Sequence, residues 1–278
     1  MSPIEFHEII INVIANLLAA LIIAFLGVGT YVLVLITERK KLFRFFGINS
    51  QQPNLGIYLS RLQIKPHGTI GAEPLNAGYS GPSVTKIEYE GGSLLRDALN
   101  SNILFLLPKR LQGWLSQQHA SLIVVNPSIE ISPEDLGTPP FDNMVSDNMI
   151  ILGGGIYNRL AKRYLEHSSC QFYFSREEDG KRIIRIKNGG MKDVEIPGRA
   201  SNRELGIIQK IRDEKHGNTV FLCAGLGSSA TFGCARFLAE NWRQLQRRYK
   251  DEEFGICLGF PDQSPDDESV VQPIHIYP

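Results

Sequence analysis

The sequence predicts an α/β layer fold: a mainly parallel sheet with helices on both faces, preceded by one transmembrane helix. Three observations carry this. Residues 17–36 hold no charge and are dominated by Leu, Ile, Val and Ala, about the 20 residues that a helix needs to cross a hydrocarbon core. Further on, short apolar runs alternate with segments of helical periodicity, the pattern of a layered sheet-and-helix fold. Those runs are continuous rather than alternating, as expected of strands buried on both faces.

The N-terminal segment comes first. Glu5 and Glu8 precede the apolar stretch, and Arg39, Lys40, Lys41 and Arg44 follow it. A signal peptide carries its positive charge ahead of the apolar region, so this reads as an anchor. The basic flank puts the following chain on the cytoplasmic side of the cell membrane and the N-terminus outside. Residues 9–36 are thus expected to partner the lipid bilayer, with residues 1–46 as anchor and flank and 47–278 as a cytoplasmic domain. Ala20 and Ala24 have small-xxx-small spacing, in an Ala-rich span a slight argument for a homo-oligomer.

The domain then reads in order. A linker over 47–53 leads to a strand over 55–64, and a glycine- and proline-rich loop fills 67–83. Residues 86–100 come next, helical at least from Ser93, followed by a helix from Pro108 to about 117 and a buried strand over 122–125. Residues 128–148 read as loop. A strand over 149–152 runs into Gly153-Gly154-Gly155 and a helix over 157–167. Residues 171–175 and 182–187 read as a hairpin around Glu178-Asp179-Gly180. Further strands are expected over 205–211, 219–224 and 254–258, with an edge strand over 270–277. Between the last two full strands lies the most regular helix pattern, with Ala235, Leu238, Trp242, Leu245 and Tyr249 on one face.

Composition excludes several functions. Lys plus Arg number 29 and Asp plus Glu 29, a formal net charge of zero, which argues against nucleic acid as the main partner. Cys170, Cys223, Cys234 and Cys257 form no CxxC pair and read as small buried hydrophobes. The scattered histidines, His67, His119, His167 and His216, have no metal-ligand spacing. There is no GxSxG elbow and no GxxxxGK[ST] loop, and no cofactor can be named.

Two glycine turns remain. Gly225-x-Gly227-x-x-Ala230 fits the Rossmann dinucleotide pattern in its alanine-ended form, between a strand and a helix. Such a turn offers free N–H groups at a helix N-terminus, where an anion is favoured. The ribose-binding acid of that pattern is missing, because the next strand ends near Leu258 and Asp262 lies too far beyond it. Gly153-Gly154-Gly155 with Asn158 is a second turn of the same kind. The candidate ligand-binding residues are therefore Gly153, Gly154, Gly155, Asn158, Gly225, Gly227, Ser228 and Thr231, for a small phosphate-bearing ligand.

The segments LGIYLSRL (55–62), ILGGGIYN (151–158), LGIIQKI (205–211) and CAGLGSSATFGCARFLAENW (223–242) together resemble a family of uncharacterised bacterial α/β domains, often attached to a membrane span or a DNA-binding module. That family is distantly similar to Rossmann-like nucleotide-sensor and TIR-type domains. The resemblance implies a ligand-binding or NAD-processing pocket carried by Gly153, Gly154, Gly155, Asn158, Gly225, Gly227 and Thr231. The expected function is a single-pass membrane sensor of a nucleotide-like ligand. Two alternatives stand beside it: a hydrolase of NAD or nucleotide glycosidic bonds using Glu88 or Glu90, and a non-catalytic membrane assembly protein.

Overall fold

The connections between strands decide which of them run parallel. The computed structural model describes residues 3–49, 54–60, 86–100, 119–125, 148–155, 158–176, 182–187, 194–196, 203–261 and 272–277. The chain divides into two compact units, Met1–Lys41 and Leu42–Pro278.

The described residues of the first unit, 3–41, lie in helix α1 (Pro3–Phe45). It has a segment long and apolar enough to cross a membrane. Ile23 and Phe25 are 70% and 77% exposed, so this is no core helix. Its two threonine hydroxyls are satisfied within the helix: Thr30 and Thr37 donate to the carbonyls of Leu26 and Leu33, each at 2.8 Å, as an apolar surrounding demands.

The second unit begins with the last turn of α1. The order thereafter is β1 (Asn54–Ser60), α2 (Lys86–Asn100), β2 (His119–Val125), β3 (Asn148–Leu152), α3 (Arg159–Leu165), β4 (Phe172–Arg176), β5 (Arg182–Ile186), β6 (Val194–Ile196), β7 (Arg203–Asp213), β8 (Asn218–Gly225), α4 (Ser228–Tyr249), β9 (Phe254–Pro261) and β10 (Gln272–Tyr277). Seven strands form one sheet in the order β10-β9-β7-β8-β3-β1-β2, and β4-β5-β6 form a small second sheet.

The large sheet is mixed, which corrects the expectation of a mainly parallel one. β2, β1, β3 and β8 run parallel, whereas β7 is antiparallel to both β8 and β9, and β10 is antiparallel to β9. The reason is local. Only residues 214–217 separate β7 from β8, and a parallel crossover needs a dozen residues or more. Gly217, at φ +69°, lets the chain reverse into a hairpin.

Both faces are covered. On one, α2 and α4 pack with the last turn of α1 over Leu55, Ile57, Ile150, Phe221, Cys223, Ile256 and Leu258. On the other, α3 and the small sheet cover Tyr58, Met149, Ile151, Ile207, Val220 and Leu222. The alternation of side chains along each strand sends successive residues to opposite cores. Gln209 fastens the small sheet in place: its side-chain oxygen accepts the N–H groups of Gln171 and Phe172 at 2.8 and 2.9 Å, and its amide donates to the Phe172 carbonyl at 3.1 Å.

The end of α1 is part of this core rather than a loose stem. Phe45 and Phe46 are fully buried and lie 5.1 and 4.7 Å from the Phe221 ring. The Gly47 carbonyl accepts the Asn148 amide at 2.9 Å, and the Asn148 oxygen accepts the Thr219 N–H at 2.9 Å. Asn148 is the first residue of β3 and Thr219 the second of β8, so the last turn of α1 packs at the edge where the parallel strands begin. Residues 47–49 therefore belong to the packed unit, and 50–53 of the expected linker lie outside the described residues. So do the loops over 67–83 and 128–147 and the helix expected from Pro108.

Candidate functional site

Both glycine turns lie at the opposite edge, where the parallel strands end. β3 and β8 are neighbours with Leu152 beside Cys223, and the Gly153 N–H donates to the Cys223 carbonyl at 3.0 Å. The 153–155 turn thus leaves β3 beside the end of β8, from which the 225–228 turn continues. Ligands of open α/β sheets bind beyond strand ends of this kind.

Most of the glycines have a packing reason. A Cβ on Gly225 would stand 2.6 Å from the Ala230 Cβ and the Thr231 nitrogen, and one on Gly155 would stand 2.9 Å from the Lys162 Cα. Both are far inside contact distance, so these glycines let helices approach the sheet. Gly153 takes φ +101°, the region that favours glycine. Gly154 differs: nothing lies within 4 Å of where its Cβ would be. It has open space in front of it.

The polar side chains turn inward. Asn158 is fully buried; its amide donates to the Leu152 carbonyl at 3.0 Å, and its oxygen accepts the Ala161 N–H at 3.2 Å. It is the N-cap of α3 and pins that helix to the end of β3. Thr231 is equally committed, its hydroxyl accepting the Gly225 N–H at 3.0 Å and donating to the Gly227 carbonyl at 3.1 Å. Ser228 opens α4, half-buried, after an N-cap glycine that has no side chain to offer.

One residue at this edge was not among the candidates. Glu204, near the start of β7, accepts the Ala230 N–H through Oε2 at 3.1 Å. A Cβ on Gly227 would come within 2.5 Å of its other oxygen. The carboxylate thus stands at the positive end of α4, where the orphan N–H groups and the macrodipole favour an anion. Glu204 and Ala230 are 26 residues apart, and only the hairpin register that pairs Gly206 with Gly225 brings them together. No spacing rule in the sequence would have found it.

Of the two other carboxylates considered, Glu88 is buried and Glu90 exposed. One turn further along α2, Gly91 packs closely on α4, where a Cβ would lie 3.2 Å from that of Ala235. All four cysteines are buried. Burial pushes the Cys170 and Cys257 thiols up to about 11 and about 12, so neither is a thiolate nucleophile near neutrality. No group of three metal-ligating side chains occurs among the described residues.

The strand-start edge carries its own polar groups. Asp213, nearly fully buried, accepts the Tyr164 hydroxyl at 2.9 Å and lies 2.9 Å from His216 Nδ1. Burial opposes its ionisation, yet the hydrogen bonds from His216 and Tyr164 hold its pKa below the ordinary value. Lys210, 2% exposed, donates to the Lys250 carbonyl at 3.1 Å, with its ammonium 5.0 Å from the Phe45 ring centroid. Burial, with Arg212 and Arg44 nearby, pushes its pKa down to about 8 against the opposing pull of Asp251 and Glu253. These groups tie elements together and face away from the glycine turns.

Comparison with protein-family models, with curated proteins and with solved structures finds no match for this chain.

Proposed function

We propose that the chain is a single-pass membrane protein whose Rossmann-like domain binds a small nucleotide-like ligand at the edge shared by the two glycine turns. The observation that carries this is the juxtaposition of those turns on adjacent parallel strands, with Gly154 facing open space. The resemblance to nucleotide-sensor and TIR-type domains points the same way. In this reading the N-terminus lies outside the cell membrane and the domain is cytoplasmic, as the basic flank suggests.

The chemistry of the edge sharpens the ligand. Asn158 and Thr231 shape the turns rather than touch the ligand. A phosphate is held by the N–H groups of Gly154 and Gly155, because Glu204 already occupies the end of α4 and repels a second anion. The free side of the Glu204 carboxylate accepts hydroxyl groups, the task of the ribose-binding acid that the 225–230 pattern lacks in sequence. The ligand is thus a ribosyl phosphate derivative spanning both turns.

Isothermal titration of the full chain in lipid nanodiscs against ATP, NAD and ADP-ribose tests the reading. Gly154 is not at a positive φ and has no near neighbours, so Gly154→Val folds and blocks only the approach. Saturable binding of one ligand, weakened about tenfold or more in the variant, is expected. Binding that the variant leaves unchanged, or none at all, overturns it. A hydrolase of glycosidic bonds is the second reading, favoured by the Glu204 carboxylate at this edge, and NAD recovered intact from the same mixture removes it.

A further inference from the structure

The edge at which α1 joins the domain gathers basic side chains that are far apart in sequence. Lys250 is the C-cap of α4, and its carbonyl holds Lys210 beneath the last turn of α1. Arg44, in that turn, donates to Asp251 at 2.8 Å. The Arg212 N–H donates to Glu253 at 2.6 Å, and residues 214–217 turn at the same edge. Among the described residues, the exposed bases here are Arg44, Arg212, Lys215, Arg247, Arg248 and Lys250, against the exposed acids Glu214 and Glu252. Asp251 and Glu253 are half-buried and engaged in the bonds just named.

Connectivity says what this edge meets. Ile36 closes the charge-free stretch and Leu42 is already core. Five residues of helix, six helical steps, separate them by about 9 Å, a little more than the roughly 5–8 Å depth of one headgroup layer. The covalent chain therefore holds Leu42 close to the headgroup layer when α1 spans a bilayer.

We propose that this basic edge binds the anionic headgroups of the leaflet that α1 enters. The inference rests on the membrane-spanning reading of α1. Arg247, Arg248 and Lys250 lie some two hundred residues from the span, so the flank that sets topology does not account for them. Headgroup phosphates and carboxylates attract such groups when they are held near the surface, and salt weakens the attraction within a Debye length.

Amine acylation read by mass spectrometry tests this on the full chain in nanodiscs, either of phosphatidylcholine alone or with roughly 30% phosphatidylserine. Lys162 is the internal reference, exposed on α3 beside the 153–155 turn. The expected result is that phosphatidylserine slows acylation of Lys215 and Lys250 about threefold or more and leaves Lys162 unchanged. High salt should restore the rates, as should the double substitution Arg247→Glu and Arg248→Glu, whose exposed positions do not disturb folding. Equal rates in both discs, or equal slowing at Lys162, overturn the docking proposal while the membrane reading stands. A chain that stays in solution without entering discs overturns both.

Discussion

At the scale of single residues, the decisive polar groups are those spent inside the protein. Asn158 and Thr231 look like ligand contacts in the sequence because both are polar and lie beside glycines. In the fold each satisfies backbone groups that the glycine turns leave open, a duty that buried polar atoms rarely escape. Lys210 shows the converse, a charge buried at a cost. Its folded pKa of about 8 lies below the unfolded value of about 10.4. Between those two values the unfolded chain binds more protons than the folded one, so stability rises with pH across that window and the penalty is complete below it. Lys210→Met should therefore stabilise the protein by about 1–3 kcal/mol at pH 7, with the advantage shrinking towards pH 10. Urea unfolding of both proteins at several pH values measures this; an advantage independent of pH would show that packing, not charge, is responsible.

At the scale of elements, the helices and most strands are legible in the sequence. The α4 pattern is strong because Ala235, Leu238, Trp242, Leu245 and Tyr249 are all buried on one face. The strand directions are less legible, since β7 reads as one more apolar run. Its direction is set by the 214–217 turn, whose Gly217 is a local signal easily overlooked between two strong strands. The same turn places Glu204 at the N-terminus of α4, so an error in direction becomes a missed residue in the site. The three-residue strand β6 is too short to leave a periodic mark. Glu204→Ala should cost about 0.5–2 kcal/mol through loss of the cap. Glu204→Gln, which keeps an acceptor oxygen, should cost less. Thermal unfolding of the two variants distinguishes them, and equal costs would mean that the carboxylate does not cap α4.

At the scale of the whole molecule, the sheet separates two tasks. One edge takes in the last turn of α1 and the groups around Lys210 and Asp213; the other gathers the glycine turns and Glu204. The sequence shows plainly a charge-free stretch long and apolar enough to cross a membrane, and it shows both turns. It does not show that they are neighbours, which depends on β3 pairing with β8 across 65 intervening residues, 153–217, between their ends. The central claim is that the turns form one ligand site. Hydrogen exchange on the full chain in nanodiscs, with saturating ATP, NAD or ADP-ribose in turn, tests it most directly. The account predicts that one of these slows exchange at residues 153–155 and 227–229 together and leaves the 214–217 turn unchanged. Slowing at only one glycine turn, at the 214–217 turn, or nowhere would contradict it.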